Sequence, residues 1–186
     1  VLGCHRGHRN LPIPFPPHVV HQPVCHSGSG NAGATNVARV FGLGAGVLTF
    51  LGDFAKTLLA AWLGSLLGGV IGSCLGAAFA LIGHCFPVYF KFKGGKAVSA
   101  GAAVGLMIDW RLFVILVAVL ALMALLSKRA SVCSMACAVV LAAGTPFFTK
   151  EPMLIALAVF TGLLVLVMHR ANIRRLLRGE EPPFHL

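Results

Sequence analysis

Acidic residues are nearly absent from this chain: five Asp and Glu stand against fifteen Lys and Arg, a formal net charge of +10 over 186 residues. Charge of either sign is scarce, at 11% of residues, where soluble domains carry roughly 25%. Beside 58% apolar residues, that shortage excludes a disordered chain, a coiled coil and an ordinary cytosolic globule. Most of the protein belongs in lipid. The basic excess comes without the basic helix or aromatic platform of a nucleic-acid binder, so no nucleic acid is expected. The cations fall instead in short clusters between apolar runs, as in the cytoplasmic loops of membrane proteins. They point to an anionic partner at the membrane face, a lipid headgroup or a phosphorylated substrate.

A disulfide framework is missing too. Cys74, Cys85, Cys133 and Cys137 lie in or beside apolar runs, where a free thiol behaves as a small hydrophobe. Cys4 with His8, and Cys25 with His26, have no second ligand pair at zinc-finger spacing, so no metal is expected. Residues 1–26 hold five prolines and five histidines but no apolar run long enough for a bilayer or for a signal peptide. They read as an irregular tail. Residues 27–181 read as the membrane-embedded unit and 182–186 as a second short tail.

Apolar runs at 40–52, 57–90, 97–108, 112–127, 130–149 and 152–168 compare with the ~20 residues a crossing helix needs. The expected fold is an all-α polytopic transmembrane helix bundle with five to six crossing or re-entrant helices. Small-x-x-x-small pairs such as Gly42/Gly46, Gly64/Gly68, Gly68/Gly72 and Gly72/Gly76 predict close helix packing. Two crossings fit between the polar islands 27–39 and 91–96, and an even number between the second island and that at 169–181. One composite site on one side of the membrane is the expectation.

The islands contain near misses of well-known motifs. Gly28, Gly30 and Gly33 spell G-x-G-x-x-G with Asp53 twenty residues on, but no strand precedes them and a membrane run follows. What survives is a Gly-rich loop and a helix start suited to an anion, with Ser29 and Thr35 as candidate N-caps. Gly95-Lys96 lacks the first glycine and the hydroxyl of a Walker A loop, yet Gly94 and Gly95 between lysines make a cationic loop suited to phosphate. Ser131 and Ser134 share a helical face, as do His169 and Asn172. Arg170, Arg174 and Arg178 line the other face of a basic interfacial helix that Gly179 stops. Asp53 and Lys56, three apart in a crossing segment, are expected to pair and brace the bundle.

Taken together, the islands resemble the bacterial acyl phosphate:glycerol-3-phosphate acyltransferase family, PlsY. The resemblance rests on Ser29–Asn36 with Arg39, on Gly83-His84, Phe86–Val88 and Phe92–Lys96, and on His169, Asn172-Ile173, Arg175–Leu177, Gly179 and Glu181. Glu180 is the alternative for the last acidic place. Family members carry a membrane helix ahead of the serine motif, which residues 1–26 do not supply, and usually Gly where Ala97 stands. The resemblance implies a multi-pass protein of the bacterial inner membrane with cytoplasmic motif loops, which needs no cofactor. It implies transfer of an acyl group from acyl phosphate to glycerol 3-phosphate, giving lysophosphatidic acid and phosphate. In a direct transfer, Arg39 and Lys96 bind phosphates, Ser29 and Thr35 hydrogen-bond the head groups, and Asn31 and Asn172 position the substrates. The hydroxyl proton passes to His169 or to a substrate phosphate oxygen. Asn36, His84, Gly94, Gly95, Ser131 and Ser134 complete the binding set, with Asp53, Lys56 and Glu181 structural. No G-x-S-x-G surrounds Ser29, which disfavours an acyl-serine. The competing readings are a non-enzymatic anion transporter or bundle scaffold, for which the expected repeated half-helices are missing, and an inactive member without its first helix.

Overall fold

The computed structural model describes residues 31, 33–88, 92 and 94–183. The Pro/His-rich tail, the two Cys/His pairs within it, Ser29, Gly28 and Gly30 lie outside the described residues. Those described form seven helices and no strand: α1 (Ala34–Phe41), α2 (Leu43–Cys85), α3 (Val98–Ile108), α4 (Trp110–Ser127), α5 (Ala130–Phe148), α6 (Pro152–Met168) and α7 (Arg170–Leu177). Three of them, α2, α4 and α5, are long and apolar enough to cross a membrane by length and composition.

Helix α2 is two limbs. Its backbone leaves helical geometry at Gly68 (φ −151°, ψ 26°) and Gly69 (φ 54°, ψ −135°), and the second of these is a left-handed conformation that glycine adopts without strain. The chain folds back there, so Gly64 faces Gly72 and Gly76 faces Ala60 at backbone contact. Sheer closeness explains the glycines: a Cβ on Gly64 or Gly72 would collide with the other's carbonyl. Gly68 and Gly42 meet nothing within 4 Å; Gly68 serves the bend, and Gly46 alone of its pair packs, against Ala38 of α1. The hairpin places two apolar limbs between the first two islands and returns His84 to the level of Asp53.

With α2 counted as two limbs, six apolar segments are present among the described residues. α3 has 11 residues, about 16 Å at 1.5 Å per residue, a half-span that meets α4 at Asp109, whose carboxylate accepts from the Arg111 backbone N–H (2.7 Å). α6 and α7 meet at a 56° bend on His169. The buried core is mostly small: Ala61, Ala77, Ala100, Ala103 and Ala158 beside Leu81, Val104, Leu112, Leu141 and Val165. Large apolar side chains such as Leu67, Phe79, Leu125 and Phe147 point outward. Lipid tails are as apolar as leucine, so helices gain from close small-residue contact rather than from hiding leucine. The molecule is built as a multi-pass membrane protein. Cys74, Cys85, Cys133 and Cys137 are unbridged thiols in this packing.

Candidate active site

Four stretches of chain, far apart in sequence, meet around one cavity of about 340 Å³. Its wall takes Asn31, Thr35, Asn36 and Arg39 from the first island and α1, His84 from the end of α2, and Lys96 and Ser99 from the start of α3. Ser131 and Ser134 come from α5, and His169, Asn172, Arg175 and Glu181 from the last island. Hydrogen bonds stitch these stretches together. Asn31 Nδ2 donates to the Gly94 carbonyl (3.2 Å), and Lys96 Nζ donates to Asn172 Oδ1 (2.6 Å) across 76 residues. Asn172 Nδ2 (2.6 Å) and Ser131 Oγ (2.7 Å) both donate to Glu181 Oε1. Arg175 Nε donates to Glu181 Oε2 (2.7 Å).

Glu181 is the hub of that lattice, and a local turn puts it there. After α7, Gly179 takes φ 72°; its N–H donates to the Leu176 carbonyl and that of Glu180 to the Arg175 carbonyl. This is the Schellman stop that only a glycine makes cheaply. It reverses the chain and buries Glu181, while Glu180 stays exposed, so of the two acids it is Glu181 that lines the cavity. Burial pushes the Glu181 carboxyl pKa up, but the bonds from Asn172, Ser131 and Arg175 outweigh it and hold the group below the usual carboxylate range. Lys96 is shifted down, first by burial and then by Arg175, while Glu181 pulls it back up.

His169 is 2% exposed, and its Nδ1 lies 2.8 Å from the Val165 carbonyl. That carbonyl can only accept, so Nδ1 carries the proton and the Nε2 lone pair is left free for another partner. Burial pushes the imidazole down to about 4, with the Val165 contact opposing and nearby Lys96 assisting. The ring is neutral at pH 7.

Several sequence expectations change form. The Gly94 and Gly95 N–H groups do not face the cavity: they donate to the Cys85 (3.1 Å) and His84 (3.0 Å) carbonyls, closing the loop onto the end of α2. What the glycines supply is closeness, since a Cβ on Gly95 would land on the His84 ring. Thr35 caps nothing; Gly33 is the N-cap residue of α1, with no side-chain cap. Helix α3 likewise starts at Ala97 without a side-chain cap. The first turns of α1 and α3 both border the cavity, and helix N-termini favour anions. Ala97 stands in the left-handed region (φ 61°, ψ 15°), which costs a non-glycine residue about 1–2 kcal/mol. Asp53 and Lys56 pair at 2.5 Å within one helix, and both reach Nδ1 of His84 on the returning limb at 3.2 Å, so the pair braces the two limbs. Arg175, named only as part of the last motif, and Ser99 received no role from the sequence; each lies three residues, about one helical turn, past a named site residue, Asn172 and Lys96.

A second cavity, of about 200 Å³, is almost wholly apolar and lined by Gly101, Phe113, Leu116, Leu120 and Leu141 among others. Phe50, Val98 and Ser134 border both cavities, so the cationic chamber opens beside an apolar one.

Comparison with known proteins agrees with this geometry. The family described as glycerol-3-phosphate acyltransferase matches residues 18–179. The glycerol-3-phosphate acyltransferase of Geobacillus kaustophilus (strain HTA426) is 39% identical over 155 residues, 83% of this chain and 79% of that protein. Two crystal structures of PlsY (YgiH), an integral membrane glycerol 3-phosphate acyltransferase, are each 30% identical. The glycerol 3-phosphate form superposes with a TM-score of 0.82 over 87% of this chain and 82% of that one. The lysophosphatidic acid form gives 0.80 over 84% and 81%.

Proposed function

The chain belongs to the glycerol-3-phosphate acyltransferase family, and on that premise we propose that it takes its acyl group from acyl phosphate, at motif loops on the cytoplasmic face of the bacterial inner membrane. The observation that carries this reading is the junction of two cavities. One presents Arg39, Lys96 and Arg175 with a single carboxylate already consumed by hydrogen bonds; the other offers apolar walls. A substrate with a phosphate at one end of a hydrocarbon chain fits across Phe50, Val98 and Ser134, and glycerol 3-phosphate fits the cationic chamber.

The chemistry follows from what the residues can do. Lys96 and Arg39 draw both phosphates out of water, and the helix starts of α1 and α3 add oriented N–H groups. Holding the two reactants in one chamber converts their encounter into an intramolecular event. The glycerol hydroxyl oxygen attacks the acyl carbonyl carbon, the bond from that carbon to the phosphate oxygen breaks, and phosphate leaves with the electron pair. His169 Nε2 accepts a hydrogen bond from the attacking hydroxyl and aims it. An imidazole held near 4 is a weak base, so the departing phosphate, the stronger base of the two, takes the proton. Asn172 holds Lys96 in place, and Glu181 holds Asn172.

The test is an assay of membranes containing the chain, given glycerol 3-phosphate with either acyl phosphate or acyl-CoA. Lysophosphatidate forms with acyl phosphate alone, and Lys96→Ala lowers the rate at least about 100-fold, as expected for removal of a buried charge partner from the reacting centre. No product above an empty-vector control, with insertion verified, contradicts the reading; equal rates with acyl-CoA contradict the donor.

A further inference from the structure

The Asp53–Lys56 pair sits beside the active chamber without entering it, and its third partner is the informative one. Asp53 Oδ1 lies 3.2 Å from Nδ1 of His84, on the returning limb of the hairpin, and Lys56 Nζ lies 3.2 Å from the same nitrogen. Asp53 and His84 side chains are 13% and 6% exposed. A carboxylate in apolar surroundings is expensive unless paired, and here it accepts from Lys56 within its own helix and from His84 across the hairpin. Asp53 and Lys56 both reach across the hairpin, and both meet it at His84 Nδ1.

The other edge of the His84 ring packs against the Gly95 backbone, where a Cβ would collide with Nε2 and Cε1. With the proton on Nδ1 the ring donates to Asp53. His84 also supplies the carbonyl that receives the Gly95 N–H, and the next residue is Lys96, bonded to Asn172.

Accepting the transfer reaction above, we propose that Asp53 is a positioning residue for it: through His84 it fixes the Gly94–Gly95 turn and so sets the reach of Lys96 toward the phosphate of glycerol 3-phosphate. Lys56 pairs with Asp53 from within the same helix with its side chain 47% exposed, so its removal leaves the buried Asp53–His84 contact in place. The device acts on anion binding rather than on the acyl transfer step.

The experiment compares kcat and KM for glycerol 3-phosphate in wild type, Asp53→Asn, Lys56→Met, His84→Gln and the Asp53→Asn/His84→Gln double variant, each reconstituted in vesicles. Wild-type activity reports on the reaction itself; the variants report on positioning alone. Asp53→Asn raises KM about tenfold with kcat changed less than about threefold, the signature of lost ground-state binding. On the His84→Gln background the same change adds less than about twofold, because contacting residues are coupled. Lys56→Met moves KM less than about threefold, although it removes the same ion pair. Equal KM changes in Asp53→Asn and Lys56→Met, or a full Asp53 effect without His84, overturn the proposal. If Asp53→Asn does not fold, the linkage is read from His84: His84→Gln alone raises KM about tenfold with kcat changed less than about threefold. An unchanged KM in His84→Gln overturns it as well.

Discussion

His169 keeps its proton on the side of its own helix, at the Val165 carbonyl, and burial lowers its pKa to about 4. The consequence for stability has a definite sign. Between about 4 and the ordinary value near 6.5 the unfolded chain binds more protons than the folded one. The folded state is therefore favoured fully above 6.5 and loses that contribution as pH falls toward 4. Apparent Tm in detergent, measured from pH 7 to 4.5, falls more steeply for wild type than for His169→Gln. Parallel slopes would show that His169 titrates as an exposed imidazole. The sequence placed His169 and Asn172 on one helical face, and both reach the chamber; it gave no hint that the ring would be too weak a base to keep the proton. That depends on burial from α3 and α5, which no local pattern records.

Elements carry the next lesson. Glycines at 64, 72 and 76 signalled close packing, and the structure spends them on one hairpin inside what composition alone runs together as a single 34-residue uncharged stretch, 57–90. Two crossings were expected here, but the position of the bend at Gly68–Gly69 was not legible, because its neighbours Leu66, Leu67, Val70 and Ile71 are apolar and no charged island marks a turn. A paired test separates close approach from helix propensity. Gly64→Ala puts a methyl into the Gly72 carbonyl and costs about 1–3 kcal/mol by overpacking. Gly52→Ala, on an exposed stretch of the same limb with nothing within 4 Å, is neutral or stabilising by up to about 1 kcal/mol. Thermal unfolding of the two variants checks this; equal losses would mean that the hairpin contact is not what the glycines provide. Gly179 was readable as a stop signal from sequence, but its larger effect, swinging Glu181 back onto Ser131 and Asn172, belongs to tertiary structure. The double glycine before Lys96 was readable as a tight loop and misread as an anion cradle, since the partners of its N–H groups lie in the helix before it.

At the scale of the molecule, the islands were legible because lipid allows so little polarity elsewhere. Fifteen cations and five acids in a chain this apolar leave few places for chemistry, and the topology of even crossings sends the main islands to one end of the bundle. The lattice that joins them was not legible: Lys96, Asn172, Glu181 and Ser131 are linked across gaps of 76, 9 and 50 residues. The half-span α3 ends at Asp109, which caps α4 and pairs with Arg111.

The account stands on Lys96 and Asn172 acting as one unit within a shared chamber. A double-mutant cycle on kcat/KM for glycerol 3-phosphate measures that directly, with Lys96→Ala, Asn172→Ala and both together. The double variant is expected to be no more than about threefold worse than Lys96→Ala alone, a coupling of at least about tenfold. Strictly multiplicative losses would mean that the two side chains serve the reaction from separate places.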